Sequence, residues 1–344
     1  MSRCLYCYRE LELGEQDYHQ GCAKKAFRTK GIPKIPYTRD NIDDLARNLV
    51  LRQTTVTGVQ PKLSLHISRG GKDEPDRLTL IGLSGDYILK PQAKEYPNLP
   101  ENEDLTMHMA EQAGIRTVPH TLARMADGEL CYLTRRIDRD NQGNKVAMED
   151  ACQLSGRLTE DKYRSSYEQV AKTIRQYSDV GKLDLVNYWE MVLFCWLTGN
   201  SDMHLKNFSL YMPKDGHWQL APAYDLLAVR LAMPSDKEEL ALTLNGKKNN
   251  IHRADFLSAM EKSGIGAVVA ERMMGRFAKL LPQWEETIRN SFLPEEMQSE
   301  YISHITRMLA ALGSCVMTSL PSASDESHTQ PEPKSAVPFF TNSS

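Results

Sequence analysis

Three polar residues in the second half of the chain have the types and the order that phosphoryl transfer requires. Asp202 and Asn207 stand with four residues between them in TGNSDMHLKNFSL, and Asp225 follows in APAYDLL. In that chemistry one Asp accepts the proton of the attacking hydroxyl, while an Asn and a second Asp hold Mg²⁺. Asp202 and Asn207 could equally cap a turn. Asp225 favours the catalytic interpretation, because an acid flanked by apolar residues is costly to bury without a partner or a metal.

A phosphotransferase also needs groups that hold phosphates, and the first half of the chain offers some. Gly58, in TTVTGVQPKLSL, could bring backbone N–H groups to a phosphate, and Lys62 follows on a predicted strand. Lys90 ends the apolar strand YILK, where it would contact the nucleotide and pair with a carboxylate of the next helix. Helical spacing does not separate Glu101 from Glu103 as that carboxylate. Each signal alone is weak, since a capped turn or a lysine reaching solvent explains it as well.

The first thirty residues contain a cysteine and histidine pattern typical of a structural zinc site. Cys4, Cys7, His19 and Cys22 follow the spacing C-x2-C-x11-H-x2-C. Two close pairs separated by a loop predict a closed tetrahedral Cys₃His site, although four unrelated residues in a terminal segment would look the same. The other cysteines have apolar neighbours and are predicted to be small buried residues: Cys131, Cys152, Cys195 and Cys315.

The predicted elements divide the chain into four parts. Residues 1–30 form the cysteine-rich element, and residues 148–317 are mostly helical. Residues 31–147 are mostly strands around one helix over 99–114, with a hairpin around Asp127-Gly128. Residues 318–344 are rich in Ser, Pro and acids and are predicted to be disordered. The polar motifs fall where the two large parts would meet, and such clefts commonly bind ligands. The helices are predicted near 149–156, 165–177, 183–198, 253–263, 266–286 and 294–312, with strands in NFSLYM and HWQLA between them.

The composition excludes several other classes of protein. A net charge of -3 and a pI of about 6.3 do not fit direct nucleic-acid binding. The sequence starts without the apolar region of a signal peptide, and its longest apolar run, Met191–Leu197, is too short to span a membrane. We therefore expect a cytoplasmic protein without membrane contact, in which close cysteine spacing indicates metal rather than disulfides.

Seven segments in order resemble the HipA family of bacterial serine/threonine kinase toxins. They are TVTGVQPKLSL, YILKP, PENED with MAEQAG, TRRIDR, MEDACQLSG, TGNSDMHLKNFSL and APAYDLL, and the resemblance spans roughly residues 50–312. It implies an α+β, bilobal, protein-kinase-like fold with a β-rich N-lobe and an α-helical C-lobe. The chain looks closest to the short HipT branch, which lacks the first HipA subdomain. That branch instead begins with a Cys/His segment similar to a zinc site, here called the front end.

The resemblance assigns a role to individual residues. Asp202 corresponds to the catalytic Asp, and Asn207 and Asp225 correspond to the Mg²⁺ ligands. Thr55 and Thr57 stand where family members carry serines whose autophosphorylation inactivates them. The nucleotide-binding positions are Lys90 with its partner Glu103, Gly58 and Lys62 in and after the loop, Glu149 and Ala151 at the adenine hinge, and His204 and Lys206 beside the catalytic Asp.

The resemblance also implies cofactors, a substrate and partners. It predicts a kinase that uses ATP and Mg²⁺, carries structural Zn²⁺ and phosphorylates an aminoacyl-tRNA synthetase to inhibit translation. Tryptophanyl-tRNA synthetase is favoured and glutamyl-tRNA synthetase comes next. The implied partners are a small HipS-like antitoxin and a HipB-like helix-turn-helix protein that binds DNA.

Two other functions fit part of the sequence. A small-molecule phosphotransferase on the same scaffold would need the same acids and lysine but no protein acceptor. A non-catalytic, zinc-containing binding protein would need only the front end. The presence of Asp202, Asn207, Asp225 and Lys90 together argues against the non-catalytic alternative.

Overall fold

A computed structural model describes most of the chain: residues 2–29, 31–42, 45, 62–71, 74–81, 85–140 and 142–313. Thr55, Thr57 and Gly58 lie outside the described residues, as does the tail over 318–344. The expectations for that loop and that tail therefore stay predictions.

The first half of the chain is built on one antiparallel sheet of five strands in the order β2-β1-β3-β5-β4. Its strands are β1 Leu63–Ser68, β2 Arg77–Leu80, β3 Tyr87–Lys90, β4 His120–Arg124 and β5 Leu130–Arg135. β3 is central, because it pairs with β1 on one side and with β5 on the other. Lys90 thus ends a strand that has neighbours on both sides, and it lies opposite Tyr132 of β5. β4 and β5 form the predicted hairpin, with Gly128 at φ +90° in its turn.

The helix that packs against β4 and β5 is α2, Leu99–Gln112. Pro100 lies in its first turn, where the missing N–H costs nothing, and Gly114 follows its end at φ +78°. The helix is unusual in burying the charged side chains of its first turns, among them Glu101, Glu103 and Asp104. Buried carboxylates need partners, so this helix is the first place to look for function.

The front end, which is the cysteine-rich element described over residues 2–29, packs against this sheet and helix. Its one helix is α1, Gln20–Phe27, and Leu5 and Tyr18 are buried ahead of it. The Tyr18 hydroxyl donates to the carbonyl of Leu122 at 2.5 Å, and the Leu122 amide donates to the carbonyl of Leu5 at 3.3 Å. The front end therefore extends the packing of β4.

The second half opens with a small antiparallel sheet, β6-β7-β8, whose strands are Met148–Asp150, Ser209–Tyr211 and Gln219–Leu220. The two predicted strand segments are thus confirmed. The helix expected from 149 is wrong at its start, because residues 148–150 pair with β7 and α3 covers only Ala151–Leu154. Asp150 caps α3 by accepting the amide of Gln153 at 2.9 Å.

Seven further helices form the rest of the second half. Its core is centred on α5, in which Trp189 and Phe194 are fully buried. The single helix predicted over 266–286 is instead two, because α8 ends at Ala278 and Pro282 opens α9. No helix among the described residues has both the length and the apolar character to cross a bilayer. The seven are α4 Tyr167–Tyr177, α5 Gly181–Thr198, α6 Val229–Ala232, α7 Arg253–Lys262, α8 Ala267–Ala278, α9 Leu281–Arg289 and α10 Glu295–Ala311.

Candidate active site and metal sites

A buried lysine joins the two halves of the chain. Lys90 Nζ lies 2.6 and 2.8 Å from the two carboxylate oxygens of Glu103 on α2, and it also contacts Asp225 Oδ1 from the second half. Lys90 is only 5% exposed. Burial lowers the pKa of Lys90, but Asp225 and Glu103 outweigh burial and hold that pKa above its usual value. The ammonium group therefore stays charged between two carboxylates.

The two glutamates near the start of α2, which spacing could not separate, have different partners. Glu103 binds Lys90, whereas both carboxylate oxygens of Glu101 accept hydrogen bonds from Gln92 Nε2 at 2.8 Å. Gln92 follows β3 by two residues, so the strand and the segment after it pair with different residues of the helix. Glu103 is consequently the carboxylate of the ion pair.

Asp225 has an uncommon backbone and two cationic neighbours. Its φ is +56°, in the left-handed region that Asp adopts more readily than most residues. Besides Lys90, Lys62 Nζ lies 3.1 Å from its Oδ2, and the Lys62 side chain is half exposed. Burial raises the pKa of Asp225, but Lys62 and Lys90 together hold it well below its usual value. The carboxylate is therefore ionised and balanced by ammonium groups.

The segment after α5 carries Asp202 and Asn207. The helix ends at Gly199 in a left-handed C-cap, with φ +72°. Asn207 lies in a short 3₁₀ turn and donates from Nδ2 to the backbone carbonyl of Asp202 at 3.1 Å. The Asp202 side chain points outward, where the Tyr163 hydroxyl donates to its Oδ1 at 2.5 Å. The side-chain amide of Asn207 thus joins the two ends of the loop, while the carboxylate of Asp202 faces the surface.

The other two loop residues with expected phosphate contacts have defined surroundings. His204 is buried, its Nδ1 has no hydrogen-bond partner among the described residues, and its ring centre lies 5.0 Å from that of Tyr163. Burial lowers the pKa of His204 more than the nearby Asp202 raises it, so the ring is neutral. Lys206 Nζ lies 3.2 Å from Asp150 Oδ2 and ties the loop to β6.

The backbone of the segment that the resemblance assigns to the adenine hinge is paired with β7. The amide of Ala151 donates to the carbonyl of Phe208 at 2.8 Å, so it is engaged within the sheet. Bonded pairs recur every second residue in an antiparallel ladder, which places the backbone groups of Glu149 toward Leu210. In this conformation neither Glu149 nor Ala151 offers a free backbone N–H to a base. The backbone groups directed away from β7 belong to Met148 and Asp150, and the Asp150 amide donates to the side chain of Gln153.

Three residues of the site were not found from the sequence. Asp150 carried a readable signal, since an Asp three residues before Gln153 fits a capping box at the start of α3. Gln92 and Tyr163 carried none, because their roles depend on contacts with distant segments.

The front-end residues Cys4, Cys7, His19 and Cys22 lie together, with one ligand atom of each within 4.8 Å of the others. His19 Nδ1 lies 3.5 Å from Cys7 Sγ and 3.8 Å from Cys22 Sγ. Its other nitrogen lies 3.0 Å from the carbonyl of Glu10. Bonding of Nε2–H to a carbonyl leaves the Nδ1 lone pair free for an ion, so these side chains can hold a metal.

The cysteines outside this cluster behave as predicted. Cys131, Cys152 and Cys195 are buried free thiols, and burial raises the pKa of each. Cys315 lies outside the described residues.

Comparison with known proteins gives relatives over most of the chain. A Haemophilus influenzae protein assigned as a kinase by inference is 29% identical over 293 residues, which are 76% of this chain and 82% of that protein. The serine/threonine-protein kinase toxin HipA of Shewanella oneidensis is 26% identical over 278 residues, 75% of this chain and 62% of HipA. This chain therefore spans less than two thirds of that toxin.

A solved structure gives the same fold. The chain matches the structure of Shewanella oneidensis HipA with HipB and its operator DNA at a TM-score of 0.62 and 21% identity, over 80% of this chain and 70% of that one. At that identity the match is evidence for the fold alone. The HipA-like C-terminal domain family matches residues 54–284, which include the lysine, the loop acid and Asp225. The chain therefore belongs to the HipA-like family and has its bilobal, kinase-like α+β fold.

Proposed function

We propose that this protein is a serine/threonine protein kinase that uses ATP and Mg²⁺. The observation that carries the proposal is the buried contact of Lys90 with both Glu103 and Asp225, which brings together residues of the two halves of the chain. A lysine held by a helix carboxylate is the arrangement that contacts nucleotide phosphates in kinases. It joins the two lobes at the place where a nucleotide would bind.

The surrounding residues support a division of roles. Asp202 would accept the proton of the substrate hydroxyl, and its exposed carboxylate suits a protein acceptor that arrives from outside. Asn207 and Asp225 offer the oxygen atoms that Mg²⁺ prefers. Lys62 now neutralises Asp225 from a half-exposed position, where ion pairs are weak, so a cation at Asp225 can displace it.

The resemblance to the short HipT branch directs the choice of acceptor and partners. The proposed role is that of a toxin that phosphorylates an aminoacyl-tRNA synthetase, with tryptophanyl-tRNA synthetase tested before glutamyl-tRNA synthetase. Thr55 and Thr57 are the proposed autophosphorylation sites, and the added charge would pull the loop out of the nucleotide site. A HipB-like protein is a proposed partner, supported by the Shewanella HipA structure, which contains HipB. A HipS-like antitoxin is the second.

The four front-end ligands are proposed to hold zinc in a structural role. Three thiolates and one imidazole complete a tetrahedral shell, which leaves no open position for catalysis.

The test is transfer of labelled phosphate from ATP with Mg²⁺, using the purified protein, both synthetases and a cell lysate. We expect label on a synthetase and on the protein itself, and loss of at least about 10³-fold of that label in Asp202→Asn. Asp215→Asn, which changes an exposed loop acid that accepts the His217 amide, should leave labelling unchanged. Label confined to small molecules, or absent from every protein, would overturn the assignment.

A further inference from the structure

A second cluster of ligand-type side chains lies further along α2 than the Lys90 site and is not used in phosphoryl transfer. Asp104, His108 and Glu111 project from α2, and His120 begins β4. One ligand atom of each of Asp104, His108 and His120 lies within 4.8 Å of the other two. Asp104 and the side chain of His120 are fully buried.

Each histidine of the cluster has one nitrogen bonded and one nitrogen free. His120 Nδ1 lies 2.7 Å from Asp104 Oδ1, and His108 Nδ1 lies 3.4 Å from Glu111 Oε2. Both Nε2 atoms are buried without a hydrogen-bond partner among the described residues. Glu111 can hold the Nδ1–H of His108, which presents the His108 Nε2 lone pair to an ion, and this pairing is common around protein metal sites.

The distances within the cluster suit an ion shared by three of these side chains. His108 Nε2 lies 3.5 Å from Asp104 Oδ2, and His120 Nδ1 lies 2.7 Å from Asp104 Oδ1. A tetrahedral ion with bonds of about 2.1 Å keeps its ligands about 3.4 Å apart, so small movements would admit an ion between Asp104, His108 Nε2 and His120 Nδ1. Glu111, whose side chain is half exposed and whose Oε1 lies 3.5 Å from His120 Nε2, would then accept the Nε2–H of His120 from outside the shell.

We propose that Asp104, His108 and His120 form a second metal site, distinct from the Cys/His cluster, for zinc or a similar first-row divalent cation, with Glu111 holding the outer nitrogen of each histidine. Two imidazoles with a carboxylate suit such an ion, whereas Mg²⁺ and Ca²⁺ prefer shells made of oxygen. The chain brings these ligands together from α2 and from β4, so the ion would tie the helix to the sheet.

The site also reaches the front end. The Tyr8 hydroxyl donates to Asp104 Oδ2 at 2.7 Å, and Tyr8 directly follows the front-end ligand Cys7. Asp104 in turn directly follows Glu103, the partner of Lys90. An ion here would fix the turn of α2 that holds Glu103; this consequence rests on the proposed kinase function, whereas metal binding itself does not.

A proton is the alternative occupant. Burial lowers the pKa of His120, but Asp104 and Glu111 outweigh burial and raise it to about 9 in the metal-free protein. A protonated His120 would bridge the two carboxylates without any ion, so the test must measure metal directly.

The experiment counts zinc in the full-length protein after saturation with zinc and gel filtration, by atomic emission. We expect two zinc ions per chain in the wild type and one in His108→Gln and in His120→Gln. His217→Gln changes a histidine on the exposed surface and should keep two. In the cobalt-substituted protein both variants of the cluster should retain the thiolate charge-transfer bands of the front-end site.

One zinc ion per wild-type chain, or two in His108→Gln, overturns the proposal in favour of the protonated cluster. His108 is partly exposed and is the variant of choice if the buried His120→Gln does not fold. Zinc counting does not depend on phosphate transfer, so loss of the kinase assignment would leave this result unaffected.

Discussion

The residue contact that matters most for function is the one between Lys90 and Glu103. We expect Glu103→Gln to lower phosphate transfer by about 10²-fold, because the ammonium group loses its fixed position and moves toward Asp225. The substitution keeps the shape of the side chain, so the protein should fold. Initial rates with labelled ATP at saturating Mg²⁺, together with a urea unfolding curve, measure both quantities.

Glu101→Gln is the matched control, because Glu101 lies two residues before Glu103 on the same helix. It is buried to a similar degree and binds Gln92 instead of Lys90, so it should change unfolding more than it changes transfer. Equal losses of activity in the two variants would contradict the assignment of Glu103.

At this scale the sequence identified residue types better than partners. Lys90, Asp202, Asn207 and Asp225 were recognised because their chemistry and order are specific. Helical spacing did not separate Glu103 from Glu101, but the resemblance favoured Glu103, and the position of β3 against α2 puts Glu103 on Lys90. Tyr163 could not be found at all, since it reaches Asp202 from a turn of unremarkable sequence.

The element that positions the catalytic loop is the end of α5, and Gly199 fixes it. An added Cβ there would lie 2.9 Å from Arg230 Cβ and 2.9 Å from His304 Nε2, at φ +72°. We expect Gly199→Ala to destabilise the fold by roughly 2 to 4 kcal/mol, because left-handed strain and crowding act together. Phosphate transfer should fall as well, since the loop carrying Asp202 starts at this residue.

Gly246→Ala separates the two causes. Gly246 has a similar φ of +79° but nothing within 4 Å of an added Cβ, so only the backbone strain remains. Its loss in urea unfolding should be smaller by about 1 kcal/mol or more, with transfer unchanged. If both variants lose the same stability, the crowding at Gly199 is relieved by movement of Arg230 and His304, and the argument fails.

Element boundaries were predictable where local signals were strong. The β4–β5 hairpin and the end of α2 followed from Gly128 and Gly114, whose backbone freedom the turns require. The two errors had different causes: residues 148–150 are a strand because β7 lies beside them, whereas the break between α8 and α9 carried a local signal, Pro282 in the first turn of α9. Apolar periodicity continued through both places and did not predict the strand or the break between the helices.

At the scale of the whole molecule, one apolar core runs through the front end, the sheet and the helices, and polar contacts connect the functional parts across it. Lys62 and Lys90 of the first half meet Asp225 of the second, and the front end meets α2 through Tyr8 and Asp104. Such contacts depend on charge and on bound ions, so ions should influence the stability of the entire fold.

Removal of zinc from the front end should therefore lower the melting temperature of the molecule, not only loosen its first residues. Leu5 and Tyr18 pack on β4, so a front end without its metal would expose part of the sheet. In a His108→Gln background, which leaves the Cys/His cluster as the metal site, a chelator should lower Tm by about 5 °C or more.

Cys22→Ser in that background should already melt at the lower temperature and show no further decrease in Tm with chelator. Cys152→Ser removes a buried thiol outside the cluster and should keep the chelator effect. A chelator shift of equal size with and without Cys22 would show that the metal acts elsewhere.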